Sequence, residues 1–128
     1  MENLLNGLNK ASVLVHQAAV DKGFYDRPVE VGTLLMLINS ELCEALEADR
    51  KKIKLSSLKL FDLETNTFGK DPVYAFELHV KDGFEDEIAD AIIRLLDLCG
   101  YREINIQRHI AEKLKYNLSR AYKHGKSY

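Results

Sequence analysis

Cysteine is scarce in this chain. Its two residues, Cys43 and Cys99, form no CxxC and no metal-ligand spacing. They read as reduced thiols of a cytoplasmic protein, although sequence alone leaves a Cys43–Cys99 bridge open. No apolar run approaches the roughly 20 residues of a membrane span, so no membrane partner is expected. The first residues, MENLLNGLNK, lack a charged segment followed by an apolar core, which predicts no signal peptide. There is no large excess of charge of one sign either. The net charge of −2 carries none of the electrostatic footprint of a nucleic-acid-binding domain, so no nucleic acid polymer is expected as a partner. Internal repeats, low-complexity tracts and competing strand patterns are absent as well.

What is present is helical periodicity. The 128 residues are enough for one domain, 1–128, with a single core. In Asn3–Lys22, Leu4, Leu8, Ala11, Val15, Ala18 and Ala19 recur near every 3.6 residues, and Gly23 suits a C-terminal cap. After a connector ending at Pro28, a second helix is predicted over Val29–Arg50. Its stripe is Val31, Leu34, Leu35, Ile38, Leu42, Ala45 and Leu46. Residues 51–71 change character and fit either a short helix capped by Ser56-Ser57 or a loop or hairpin. Pro72 suits a helix start. A third helix is predicted from Pro72 to Cys99, kinked at Gly83 and stopped by Gly100, with a last one over Asn105–Tyr122. The fold class expected is all-α, a four-to-five-helix bundle.

Charge is unevenly placed along these helices. Glu85–Asp97 holds five acids and one arginine, and Lys113–Lys126 holds five Lys or Arg and no acid. Two acidic pairs stand out, Glu41 with Glu44 and Glu87 with Asp90. Residues three apart share a helix face, so each pair can reach one point. At about 100° per residue, Glu41 and Glu44 fall near −60° and −120° from Ile38, and Glu87 and Asp90 near −100° and −160° from Ile88. Both pairs occupy the same-handed shoulder of their apolar stripes. Arg94 follows Asp90 by four and is expected to pair with it. Converging carboxylates need protons or a cation. An all-oxygen set favours Mg²⁺, with Mn²⁺ as the alternative. No glutamate of the two pairs has His three residues on, which sets a di-iron carboxylate site aside. Either pair alone is also what an ordinary solvated acidic helix contains.

Lys113, Tyr116, Asn117 and Arg120 fall at i, i+3, i+4 and i+7, one helix face, and Lys126 follows in an irregular end. Such a face would suit phosphates, a base or a sugar. It is equally what a solvent-facing helix C-terminus favours, because the macrodipole attracts cations there.

The segments SELCEALEADR, FEDEIADAIIRLLDLCG and KLKYNLSRAYKHGK, with HQAAVDKGFYD before them, resemble the MazG-like branch of the all-α nucleoside triphosphate pyrophosphohydrolases. The resemblance covers most of the chain and is weakest over 51–75. It implies a bundle of that family's type that assembles as a homodimer or homotetramer. It also implies Mg²⁺-dependent hydrolysis of a nucleoside triphosphate, a dNTP in the first instance, to the monophosphate and pyrophosphate. The metal-ligand and catalytic role carries over to Glu41, Glu44, Glu87 and Asp90. Substrate contacts carry over to Lys113, Tyr116, Asn117, Arg120 and Lys126. Many relatives have an acidic doublet where this chain has Ser40-Glu41, which leaves the metal count open, and often a proline where it has Ala121. Glu41, nearest the apolar stripe, is the expected general base. The alternatives are a non-enzymatic helical dimerisation or partner-binding module, and a phosphohydrolase acting on a non-nucleotide diphosphate.

Overall fold

A computed structural model describes residues 5–56, 59 and 72–121. These residues form five helices, with no strand among them: α1 (Leu8–Asp21), α2 (Val31–Arg50), α3 (Pro72–His79), α4 (Phe84–Tyr101) and α5 (Ile106–Ser119). The chain is therefore all-α, as its periodicity predicts. None of these helices is long and apolar enough to cross a membrane. The segments 1–4, 57–58, 60–71 and 122–128 lie outside the described residues, and with them the expected start of the first helix at Asn3 and Leu4, most of the ambiguous 51–71 stretch, and Lys126. Ser56 is described, and its hydroxyl accepts the Lys59 N–H at 3.2 Å, the bond expected of a capping serine.

The chain divides into two compact units, Pro28–Leu95 and a second made of Met1–Arg27 with Leu96–Tyr128. In the first, α2 ends in a tight reversal. The Lys52 N–H bonds the Asp49 carbonyl and the Ile53 N–H the Ala48 carbonyl, both at 2.9 Å, with Lys52 left-handed at φ 58°. Residues 53–55 then meet the start of α4. The Phe84 N–H donates to the Ile53 carbonyl at 2.9 Å, and the Leu55 N–H to Glu85 Oε2 at 2.8 Å.

The single helix expected from Pro72 to Cys99 is two, and the interruption is more than a kink. Asp82 is left-handed at φ 60°. Gly83 caps the new helix where a Cβ would stand 2.9 Å from the Val80 carbonyl oxygen. The Asp86 carboxylate reaches back to accept the Asp82 N–H at 3.0 Å. Three acids in the first turn of α4 suit its positive dipole end.

The packing seam also differs from the expected stripe. On α2 the buried residues are Ile38, Glu41, Ala45 and Ala48. On α4 within this unit, Glu87 and Ala91 are buried, as is Gly83 just before it. Leu42 and Leu46, expected in the core, are about half exposed, as are Ile92 and Leu95 on α4. The seam is thus rotated toward small side chains, and it carries two glutamates into the interior.

In the second unit α1 packs on α5. Asn105 caps α5 by accepting the Arg108 N–H at 3.1 Å. Asn9 of α1 donates to Asn105 Oδ1 at 2.8 Å and accepts the Gln107 N–H at 3.1 Å. One amide on α1 therefore helps to satisfy the orphan donors of α5. Gly100 does not stop α4, which runs on to Tyr101. It lies where a Cβ would stand 2.5 Å from the Ser12 carbonyl oxygen and 2.6 Å from His16 Cβ, so it is a crossing point of two helices. The reversal comes later, at Glu103, left-handed at φ 51°, with Ile104 N–H bonded to the Cys99 carbonyl at 2.9 Å. Both cysteines are free, Cys43 exposed and Cys99 buried.

Candidate metal centre

Glu41 and Glu44 project from α2 and Glu87 from α4, all within the unit Pro28–Leu95. One carboxylate oxygen from each lies within 4.8 Å of the other two. Asp90, one turn along α4 from Glu87, lies outside that set but feels the charge of both Glu41 and Glu44. The two pairs read from the sequence therefore converge, with three residues at the centre and the fourth beside them. They differ in environment. Glu41 and Glu87 are each only 6% exposed. Glu44 is exposed and Asp90 half-buried.

That environment sets the charge balance. Burial pushes the Glu87 carboxyl up to about 7, and the neighbouring charges of Glu44, Glu41, Asp86 and Asp90 add to it. Asp90 is also raised, first by burial and then by Asp86 and Glu41, while Arg94 acts the other way. Among the described residues no hydrogen bond or ion pair reaches the Glu87 carboxylate. A nearly buried carboxylate beside other carboxylates, with no protein donor among the described residues, favours either a proton or a cation.

Arg94 does not take the partner its spacing suggests. Its Nε donates to Glu41 Oε1 at 2.6 Å, across 53 residues of sequence, rather than pairing with Asp90 one turn away. The i,i+4 rule names a possible neighbour; here the buried Glu41 carboxylate outcompetes the half-buried one.

The basic face of α5 belongs to the other unit. Lys113 Nζ lies 5.1 Å and Arg120 Cζ 5.7 Å from the centre of the Tyr116 ring, so these three gather, although α5 ends at Ser119 and Arg120 is its extended C-cap rather than part of the expected helix face. Asn117 is half-buried on the same helix, and its carbonyl accepts the Arg120 N–H at 3.2 Å. An open groove beside them is lined by His109, Ile110, Lys113 and Leu114.

One polar network is not anticipated by helical periodicity or by the acidic pairs. Asp97 holds His16 Nδ1 at 2.8 Å through Oδ1 and accepts the Tyr25 hydroxyl at 2.8 Å through Oδ2. The His16 and Tyr25 rings meet edge to face at 4.6 Å. Burial and the Asp97 carboxylate raise the Tyr25 phenol well above its ordinary range, which keeps it a donor. The signal available in the sequence is Asp97 itself, an acid inside the apolar run Leu95-Leu96-Asp97-Leu98-Cys99. The network ties α1 and its connector to the end of α4.

No family model, no curated protein and no solved structure matches this chain.

Proposed function

We propose that this chain is a divalent-cation-dependent pyrophosphohydrolase of the MazG-like, all-α kind, which cleaves a nucleoside triphosphate to the monophosphate and pyrophosphate. The observation that carries the reading is the convergence of Glu41, Glu44 and Glu87, with no hydrogen bond or ion pair to the Glu87 carboxylate among the described residues. The donor set suits the cation proposed. It is all oxygen and all acidic, as Mg²⁺ or Mn²⁺ prefers. A hard cation bound there supplies a Lewis acid for phosphate oxygens and a lowered pKa for water.

The residues then divide the work. Glu41, Glu44 and Glu87 hold the cation. Asp90 stands just outside that set, half-buried and raised, and takes the proton from the water that attacks the α-phosphorus as the bond to the leaving pyrophosphate breaks. Asp90 replaces Glu41 as the proposed base, because Glu41 is one of the three converging carboxylates assigned to the cation, and a carboxylate engaged by a cation is a poor proton acceptor. Lys113, Arg120 and Lys126 are proposed to meet the anionic leaving group, and Tyr116 and Asn117 the nucleoside. Leucines and isoleucines half exposed on α2 and α4 support assembly as a homodimer or homotetramer.

The test is phosphorus NMR of the protein with a panel of dNTPs and Mg²⁺. Monophosphate and pyrophosphate should appear together. Orthophosphate alone, or no turnover, overturns the proposal.

The same exposed apolar faces favour one other reading, a non-enzymatic module that binds a partner. It predicts no thermal stabilisation by Mg²⁺, whereas a cation bound only by the native state must stabilise it.

A further inference from the structure

Arg94 is where the cation site meets a positive charge that the chain carries itself. Its guanidinium is bonded to Glu41, one of the three converging carboxylates. It also bears on Asp90, whose carboxyl it favours in the charged form. Glu87, Asp90 and Arg94 fall at i, i+3 and i+7 of α4, one helix face. The Arg94 side chain is 42% exposed while that of Glu41 is 8% exposed, so the pair has one anchored partner and one with access to solvent. Such an arrangement admits two roles with opposite signs. Arg94 is either a strut that aims Glu41 at the cation, or a counter-charge that the cation must overcome.

We propose the second: Arg94 is a built-in substitute cation that holds Glu41 while the site is metal-free and is displaced when a divalent cation binds. The proposal rests on the reading of Glu41, Glu44 and Glu87 as a cation site. The cluster itself favours exchange. Among the described residues buried Glu87 has no partner, so the single guanidinium on Glu41 leaves most of the cluster's carboxylates without a counter-charge. A divalent ion placed among the three carboxylates compensates more of it. A positive charge fixed a few ångströms away would oppose that ion, and Coulomb repulsion at this range amounts to roughly ten-fold or more in affinity. Glu41 loses nothing in the exchange, because it passes from one cation to another. Arg94 regains solvent, which its exposure allows.

Mg²⁺ binding is measured by calorimetry on the wild-type protein, Arg94→Gln and Arg94→Lys. Arg94→Gln should bind Mg²⁺ roughly ten-fold more tightly. Arg94→Lys, which keeps the charge, should stay within about three-fold of wild type. Unchanged or weaker binding by Arg94→Gln assigns the strut role and overturns the proposal. Should Arg94→Gln fail to fold, the wild-type protein alone decides between the two roles. The Arg94 Nε–H resonance should move toward that of a solvent-exposed arginine as Mg²⁺ saturates. Saturation in the calorimeter with that resonance unmoved overturns the exchange. If neither wild type nor variant takes up Mg²⁺, the cation site itself fails and the exchange falls with it.

Discussion

Glu87 is the residue on which the site's charge balance turns. Its carboxyl is raised from 4.5 to about 7, so between those values the folded protein holds a proton that the unfolded chain releases. The folded state is therefore favoured on the acid side of that window and loses this advantage as pH rises through 7. Thermal unfolding of the metal-free protein should show stability falling across the window by at most about 3 kcal/mol. Glu87→Gln should flatten the profile, and excess Mg²⁺ should restore wild-type stability on the alkaline side. For activity, Glu87→Gln combined with Asp90→Asn should lower turnover of dNTPs by orders of magnitude while helical circular dichroism is kept. Unchanged turnover would place the chemistry elsewhere. The two acidic pairs are legible in the sequence because i,i+3 spacing is a local fact. The choice of Arg94's partner is not, since it depends on which carboxylate from a distant helix is buried beside it.

Two backbone positions decide how the helices end and cross. Gly100 lies inside α4, where alanine would ordinarily gain up to about 1 kcal/mol of helix propensity. A Cβ there, however, meets the Ser12 carbonyl oxygen at 2.5 Å, and backbone cannot step aside as a flexible side chain does. The steric term should win. Gly100→Ala should destabilise by about 1–3 kcal/mol in denaturant unfolding, and neutrality would mean that α1 yields. Glu103 presents the opposite case, a non-glycine residue at φ 51° closing α4. Glu103→Gly should stabilise by roughly 0.5–1 kcal/mol, because relief of left-handed strain outweighs the extra freedom of the unfolded chain. These positions also show how far periodicity reaches. Helix existence and most of the termini follow from it within a few residues. The break at Val80–Gly83 and the passage of α4 through Gly100 do not, because the first is a tight local turn in which Gly83 approaches the Val80 carbonyl oxygen and the second depends on what α1 places against Gly100.

For the molecule as a whole, periodicity locates the apolar stripes on their helices but assigns them to the core too readily. The buried seam prefers alanine and glutamate, and it leaves Leu42, Leu46, Ile92 and Leu95 half exposed. If a second copy covers them, sedimentation should show a dimer or larger. Leu46→Glu with Ile92→Glu should then shift it toward monomer without loss of helix, whereas a wild-type monomer would remove the oligomer reading.

The interleaving of the two units along the chain has a further consequence, for the order of assembly. The Glu41–Arg94 bond spans 53 residues and the Leu55–Glu85 bond 30, whereas those joining α1 to the later helices span 81 to 98. Closing longer loops costs more entropy, and during synthesis the later partner does not yet exist. The carboxylate centre can therefore form around a nascent chain that ends just past Arg94. Helix α1 must wait, without these partners, until synthesis has passed Gln107.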